Sequence, residues 1–168
     1  MATASSASGA IRVKEFHFPL SVGWIGGRRV SVQAHGKAPI EITSPPEFHG
    51  TDPSTWSPED FFVAAAASCL AVTFTGLAER AGLPYASLRV NADGVASRRT
   101  DGRFGFTRLV LQLEVETDPA DCERAREIGR EADDDCLVSA SLDLPVETVI
   151  EVRSATSPVG LFAPSSTI

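Results

Sequence analysis

Ser57-Pro58-Glu59-Asp60-Phe61-Phe62-Val63-Ala64-Ala65-Ala66-Ala67-Ser68-Cys69-Leu70 is the stretch from which the fold can be read. Ser57 suits a helix N-cap, Pro58 suits the first helical position, and Asp60 completes a capping-box pattern with Ser57. Glu59 and Asp60 add negative charge at the positive end of the helix dipole. No charged residue follows until Glu79, and Gly82 before Pro84 supplies a stop. These signals predict a helix to about Ala81, roughly 35 Å long. Apolar or small residues occur on all its sides, so it should be surrounded by protein, and the small residues at 64–68 let another backbone approach closely. Its length reaches the lower bound for a membrane span. Few large aliphatics and flanking charges favour a soluble, buried helix instead.

Outward from this helix the periods change. Residues 12–25, interrupted near Pro19, then 28–34 and 40–43, read as strands, with Gly26-Gly27 as a turn. Residues 87–98 and 104–117 read as a strand pair around Thr100-Asp101-Gly102, the second alternating Leu109, Leu111, Leu113 and Val115. Asp118-Pro119 is expected to cap a second helix over 119–133, with Ala125, Ile128 and Ala132 facing inward. A helical turn over 137–142 and a last strand over 145–153 complete a βββ–α–ββ–α–β order. The class is α+β, as one domain over 11–153, with a disordered N-terminus (1–10) and a flexible tail (154–168). One sheet cannot cover every face of so long a helix, which predicts an extensively packed homodimer.

Fifteen Lys and Arg against 22 Asp and Glu give a net charge of −7. That balance argues against nucleic acid and anionic membrane as partners. The three cysteines form no disulfide framework, and the first ten residues lack the pattern of a secretory signal, so a cytoplasmic, reducing compartment is expected. His17, His35 and His49 are scattered and suggest no metal site.

The chemistry rests on two cysteines. Mid-helix, Cys69 reads either as a small core side chain or as a reactive thiol, and on residues alone the core reading is favoured. Cys136 follows a helix C-terminus and Asp133, Asp134 and Asp135, a field that would raise its pKa. Such a setting suits a thiol that resolves an oxidised partner better than one that attacks first. Cys122 is expected to be incidental. Trp56, Phe61, Phe62 and Phe74 read as core or as the lining of an apolar pocket.

The Ser57-Pro58-Glu59-Asp60…Cys69 segment, followed by Asp135-Cys136-Leu137-Val138-Ser139-Ala140-Ser141-Leu142, resembles the OsmC/Ohr family of thiol peroxidases over about residues 12–153. The resemblance implies an OsmC-like mixed sheet wrapped around a long central helix in an intertwined homodimer, with active sites at the interface. It further implies that Cys69 attacks an organic hydroperoxide to give a sulfenic acid, and that Cys136 resolves this to a disulfide. An external dithiol such as a lipoyl group restores the pair, without metal or bound cofactor. Glu59 matches the family glutamate that pairs with an activating arginine. Within one helix Glu59 and Cys69 lie about 15 Å apart, so any contact needs another arrangement, such as the partner's helix. Two departures stand out. The loop at 43–50 holds His49 and Glu47 but no arginine, leaving Arg28 and Arg29 as nearby alternatives. Leu137 replaces the usual proline, a change expected to matter little. The missing arginine keeps open a second reading: a weakly active or noncatalytic member that binds a small apolar ligand at the dimer interface.

Overall fold

The computed structural model describes residues 14–157 and 159; the expected disorder at 1–10 and most of the expected C-terminal tail lie outside these. The chain divides into two compact units, residues 1–55 and 56–168.

In the first unit, β1 (Leu20–Gly26), β2 (Arg29–Ala34) and β3 (Ile40–Thr43) form an antiparallel sheet in the order β1-β2-β3. The expected first strand began at residue 12, but pairing starts only at Leu20 opposite Ala34. Pro19 has no N–H to give to a ladder. Leu20, Val22 and Trp24 share one face of β1 and are exposed.

The second unit holds α1 (Pro58–Ala81), β4 (Ser87–Arg98), β5 (Phe104–Thr117), α2 (Cys122–Asp134), α3 (Leu137–Ala140) and β6 (Val146–Ser154). Its sheet runs β4-β5-β6, with β4 antiparallel and β6 parallel to β5, so it is mixed. The start of α1 follows the sequence pattern. The Ser57 hydroxyl accepts from the Asp60 N–H at 3.0 Å, and the Asp60 carboxylate accepts the Ser57 N–H at 2.8 Å. Gly82 ends the helix at φ 61°, a left-handed conformation that suits glycine. The start of α2 differs. A 3-10 turn over Pro119–Asp121 precedes it, and the Asp118 side chain makes no cap hydrogen bond there. Its Oδ1 accepts the Val159 N–H at 3.2 Å instead. The last strand also runs on to Ser154, and the Ala155 N–H donates to the Thr117 carbonyl, so the ordered chain enters the expected tail.

The core lies between α1, α2 and β5. From α1 come Ala66, Leu70, Phe74, Leu77 and Ala78; from β5 come Leu109, Leu111, Leu113 and Val115; from α2 come Ala125, Ile128 and Ala132. The helical and alternating spacings of these residues are those that put one face inward. The opposite side of α1 is open in the single chain. Ala65, Ser68 and Val72 are exposed, Val72 at 70 %. A helix surrounded by protein is therefore not what one chain provides. By length and composition α1 could cross a membrane, yet its buried stripe packs on the sheet and α2 as a core helix does.

Candidate functional site

The stripe that buries Ala66 and Leu70 leaves Cys69 on the flank of α1, half-buried, where α3 packs. Cys136 is the N-cap of α3 and is fully buried. The chain thus brings together two free thiols that are far apart in sequence. Cys136 lies past the end of α2, as the sequence suggests, but it also opens α3. The first N–H groups of a helix have no partner within it, and the backbone of Val138 and Leu137 is among the groups that favour the Cys69 thiolate.

These donors decide the ionisation of Cys69. Burial pushes the thiol up. Hydrogen bonds from the Val138 N–H, the Cys136 thiol, the Thr73 hydroxyl and the Leu137 N–H outweigh it, so the thiol lies below its ordinary value. The stabilisation asked of an arginine is thus supplied partly by backbone. Leu137 matters more than expected for this reason: proline at that position would have no N–H to donate. A group whose folded pKa is depressed is ionised over a window where the unfolded chain still holds the proton. Iodoacetamide modification of Cys69 is therefore expected to reach half its limiting rate at lower pH in the native than in the urea-unfolded protein, where a free thiol titrates near about 8.5. Leu137→Pro should move the native midpoint upward. Coincident native and unfolded midpoints would contradict the donor arrangement.

Thr73 was not singled out from sequence, although its position one turn beyond Cys69 is a usable signal. Ser139 was visible only as part of a motif; its hydroxyl donates to Cys136 Sγ at 3.2 Å.

Glu59 does not join the cysteines within one chain. It lines a cleft of about 410 Å³ with Trp56, Asp60, Val63, Gly94 and Phe106, and its Oε2 is buried without a hydrogen-bond partner. Gly94 is needed for this packing, since a Cβ there would stand 2.5 Å from Val63 Cγ2 and 2.8 Å from the Phe106 ring. Of the aromatics considered, Trp56 lines the cleft and packs on Phe61. Phe62 stacks on Phe106 at 4.3 Å, and Phe74 is core, edge-on to Tyr85. Phe106, which sequence patterning assigned only to a strand, is a lining residue that was missed, as are Ala92, Asp93 and Gly94. In the first unit Arg28 donates to the Phe48 carbonyl at 2.7 Å, so an arginine is fastened to the loop that lacks one in sequence. Arg29 pairs with Glu41. Cys122 Sγ lies 3.6 Å from the Asp118 carbonyl and from Ser154 Oγ. Among the described residues no group of three His, Cys, Asp or Glu side chains is placed to hold a metal ion.

Residues 50–151 match the family model described as OsmC-like protein. The chain belongs to the OsmC-like family. The match covers α1, both cysteines and the whole second sheet up to Glu151. The uncharacterized protein YmaD of Bacillus subtilis (strain 168) is 26% identical over 142 residues, spanning 82% of this chain and 93% of that protein. Among solved structures, an OsmC-like protein of unknown function from Vibrio cholerae superposes with a TM-score of 0.73 at 21% identity, covering 81% of this chain and 99% of the other. An organic hydroperoxide resistance protein from Elizabethkingia anophelis gives 0.68 at 18%, covering 83% and 100%. At these identities the structures speak for the α+β OsmC-like fold, in which α1 is a core helix.

Proposed function

We propose that this OsmC-like protein is a cytoplasmic thiol-dependent peroxidase that reduces organic hydroperoxides. One observation carries the proposal: Cys69 meets a buried Cys136 while backbone and side-chain donors hold its thiol below the ordinary value. The printed name of the Elizabethkingia relative agrees with it. The Cys69 thiolate attacks a peroxide oxygen of ROOH. The O–O bond breaks, RO⁻ takes up a proton and leaves as the alcohol, and Cys69 becomes a sulfenic acid. Cys136 then condenses with it to a disulfide, releasing water, and an external dithiol such as a lipoyl group reduces the pair by exchange.

The proposal includes a homodimer. Antiparallel packing of two α1 helices about a twofold axis near Ala64 sets Glu59 of the partner subunit level with Cys69, because residues 59 and 69 lie equally far from it. The exposed Ala65, Ser68 and Val72 and the unpartnered Glu59 oxygen both suit such a contact.

The cleft beside Glu59 favours a second reading, a noncatalytic binder of a small apolar ligand, since its volume is in the range of small-molecule sites. Asp60 and Asp93 in the lining count against an apolar occupant. Consumption of tert-butyl hydroperoxide with dihydrolipoamide as donor separates the two. The peroxidase turns over many equivalents per chain. Consumption no faster than in the protein-free mixture would leave the binder.

A further inference from the structure

Cys136 poses a problem that the peroxidase reading leaves open. To attack a sulfenic acid its sulfur must carry negative charge, yet it is 0% exposed and no water reaches it. Asp133, Asp134 and Asp135 precede it in the chain. Asp133 is turned towards β6, where its Oδ1 accepts the Thr148 hydroxyl at 2.7 Å. A donor that touches the sulfur itself is Ser139, three residues on in α3, at 3.2 Å.

That contact is not the ordinary habit of a helical serine. A serine in a helix commonly turns its hydroxyl back on a carbonyl of the preceding turn. Ser141, in the same turn of chain, does so, donating to the Leu137 carbonyl at 2.7 Å. Ser139 instead donates to the sulfur of Cys136. Cys136 is in turn one of the groups that favour the Cys69 thiolate. The Ser139 hydroxyl therefore holds the sulfur that would close the disulfide.

We propose that Ser139 is a positioning residue for disulfide closure, its hydroxyl holding Cys136 Sγ and stabilising the charge that develops there. The proposal rests on the peroxidase reading. In the step concerned, the Cys136 sulfur attacks the Cys69 sulfenic sulfur. The S–S bond forms as the S–O bond breaks. Cys136 is oxidised, the sulfenic sulfur is reduced to the disulfide level, and the Cys136 proton leaves with the hydroxide as water. A hydrogen bond to an anion is worth more than one to a neutral group, so the Ser139 contact strengthens as the attack proceeds.

A single-turnover experiment tests this. Reduced protein is mixed with one equivalent of tert-butyl hydroperoxide, and sulfenic acid (trapped with dimedone) and disulfide are followed separately across pH. For Ser139→Ala, sulfenic acid formation should be largely unchanged. Disulfide closure should slow roughly tenfold, with its pH midpoint raised, and Ser139→Thr should restore both. Closure at the wild-type rate and midpoint in Ser139→Ala, or an equal slowing of both steps, would overturn the proposal. If the wild type forms no sulfenic acid, the peroxidase reading fails separately. Thiolate absorbance at 240 nm in the Cys69→Ser/Cys122→Ser background then decides the contact. Adding Ser139→Ala should raise the Cys136 midpoint, and an unchanged midpoint would overturn the role.

Discussion

Cys69→Ser is expected to reduce hydroperoxide consumption to the protein-free background. The donors around position 69 remain in that variant, namely the Leu137 and Val138 N–H groups, Cys136 and Thr73. What is lost is the atom they act on. A serine hydroxyl does not ionise near neutral pH, and its oxygen cannot take the sulfenic oxidation state that carries the electrons. Cys136→Ser should behave differently. Its first equivalent of peroxide is consumed and a dimedone-reactive sulfenic acid then persists, because no thiol stands ready to condense. Turnover with a dithiol should fall steeply, and excess peroxide should drive Cys69 to the sulfinic acid. A Cys69→Ser protein that kept a sizeable fraction of wild-type turnover would remove Cys69 from the chemistry.

Phe74→Ala should have the largest effect on stability. Phe74 is fully buried in the centre of the α1 stripe, packed edge-on to Tyr85 at 5.8 Å between ring centroids. Its truncation removes apolar burial and leaves a cavity that α2 and β5 can only partly fill, a cost of about 3–5 kcal/mol. In a chain of this size that corresponds to a fall of roughly 10–15 °C in Tm, read by differential scanning calorimetry. The same truncation at Val72, on the same helix but 70% exposed, should cost far less if the protein is monomeric. In the proposed dimer Val72 belongs to the covered face, and Val72→Ala should then weaken dimerisation and make Tm depend on protein concentration. A change of less than about 2 °C for Phe74→Ala would contradict its placement in the core.

The helix was legible because its signals are local. Ser57, Pro58, Asp60 and Gly82 each act on neighbours within one turn, and the structure realises both the capping box and the left-handed stop. The alternation of Leu109, Leu111, Leu113 and Val115 was legible for the same reason. The first strand was overextended because apolar residues such as Phe16 and Phe18 imitate a strand where no partner strand pairs with them. The membership of Cys69 and Cys136 in one site came from a family resemblance, since nothing in either local sequence says that α3 packs on α1. The least legible feature was the origin of the thiolate's stabilisation. The family pattern points to a cation, whereas the groups that lower the Cys69 thiol include the backbone of Val138 and Leu137, whose N–H groups every residue except proline carries. A departure from the family pattern that looked minor therefore supplies one of the donors.

The most direct test is peptide-mapped mass spectrometry of the reduced protein after one equivalent of organic hydroperoxide. A Cys69–Cys136 disulfide should appear, with the loss of about 2 Da that bridging two thiols requires, and a dithiol should reverse it. Three thiols left intact, or a bridge that joins Cys122 in place of either, would contradict the pairing on which the proposed chemistry depends.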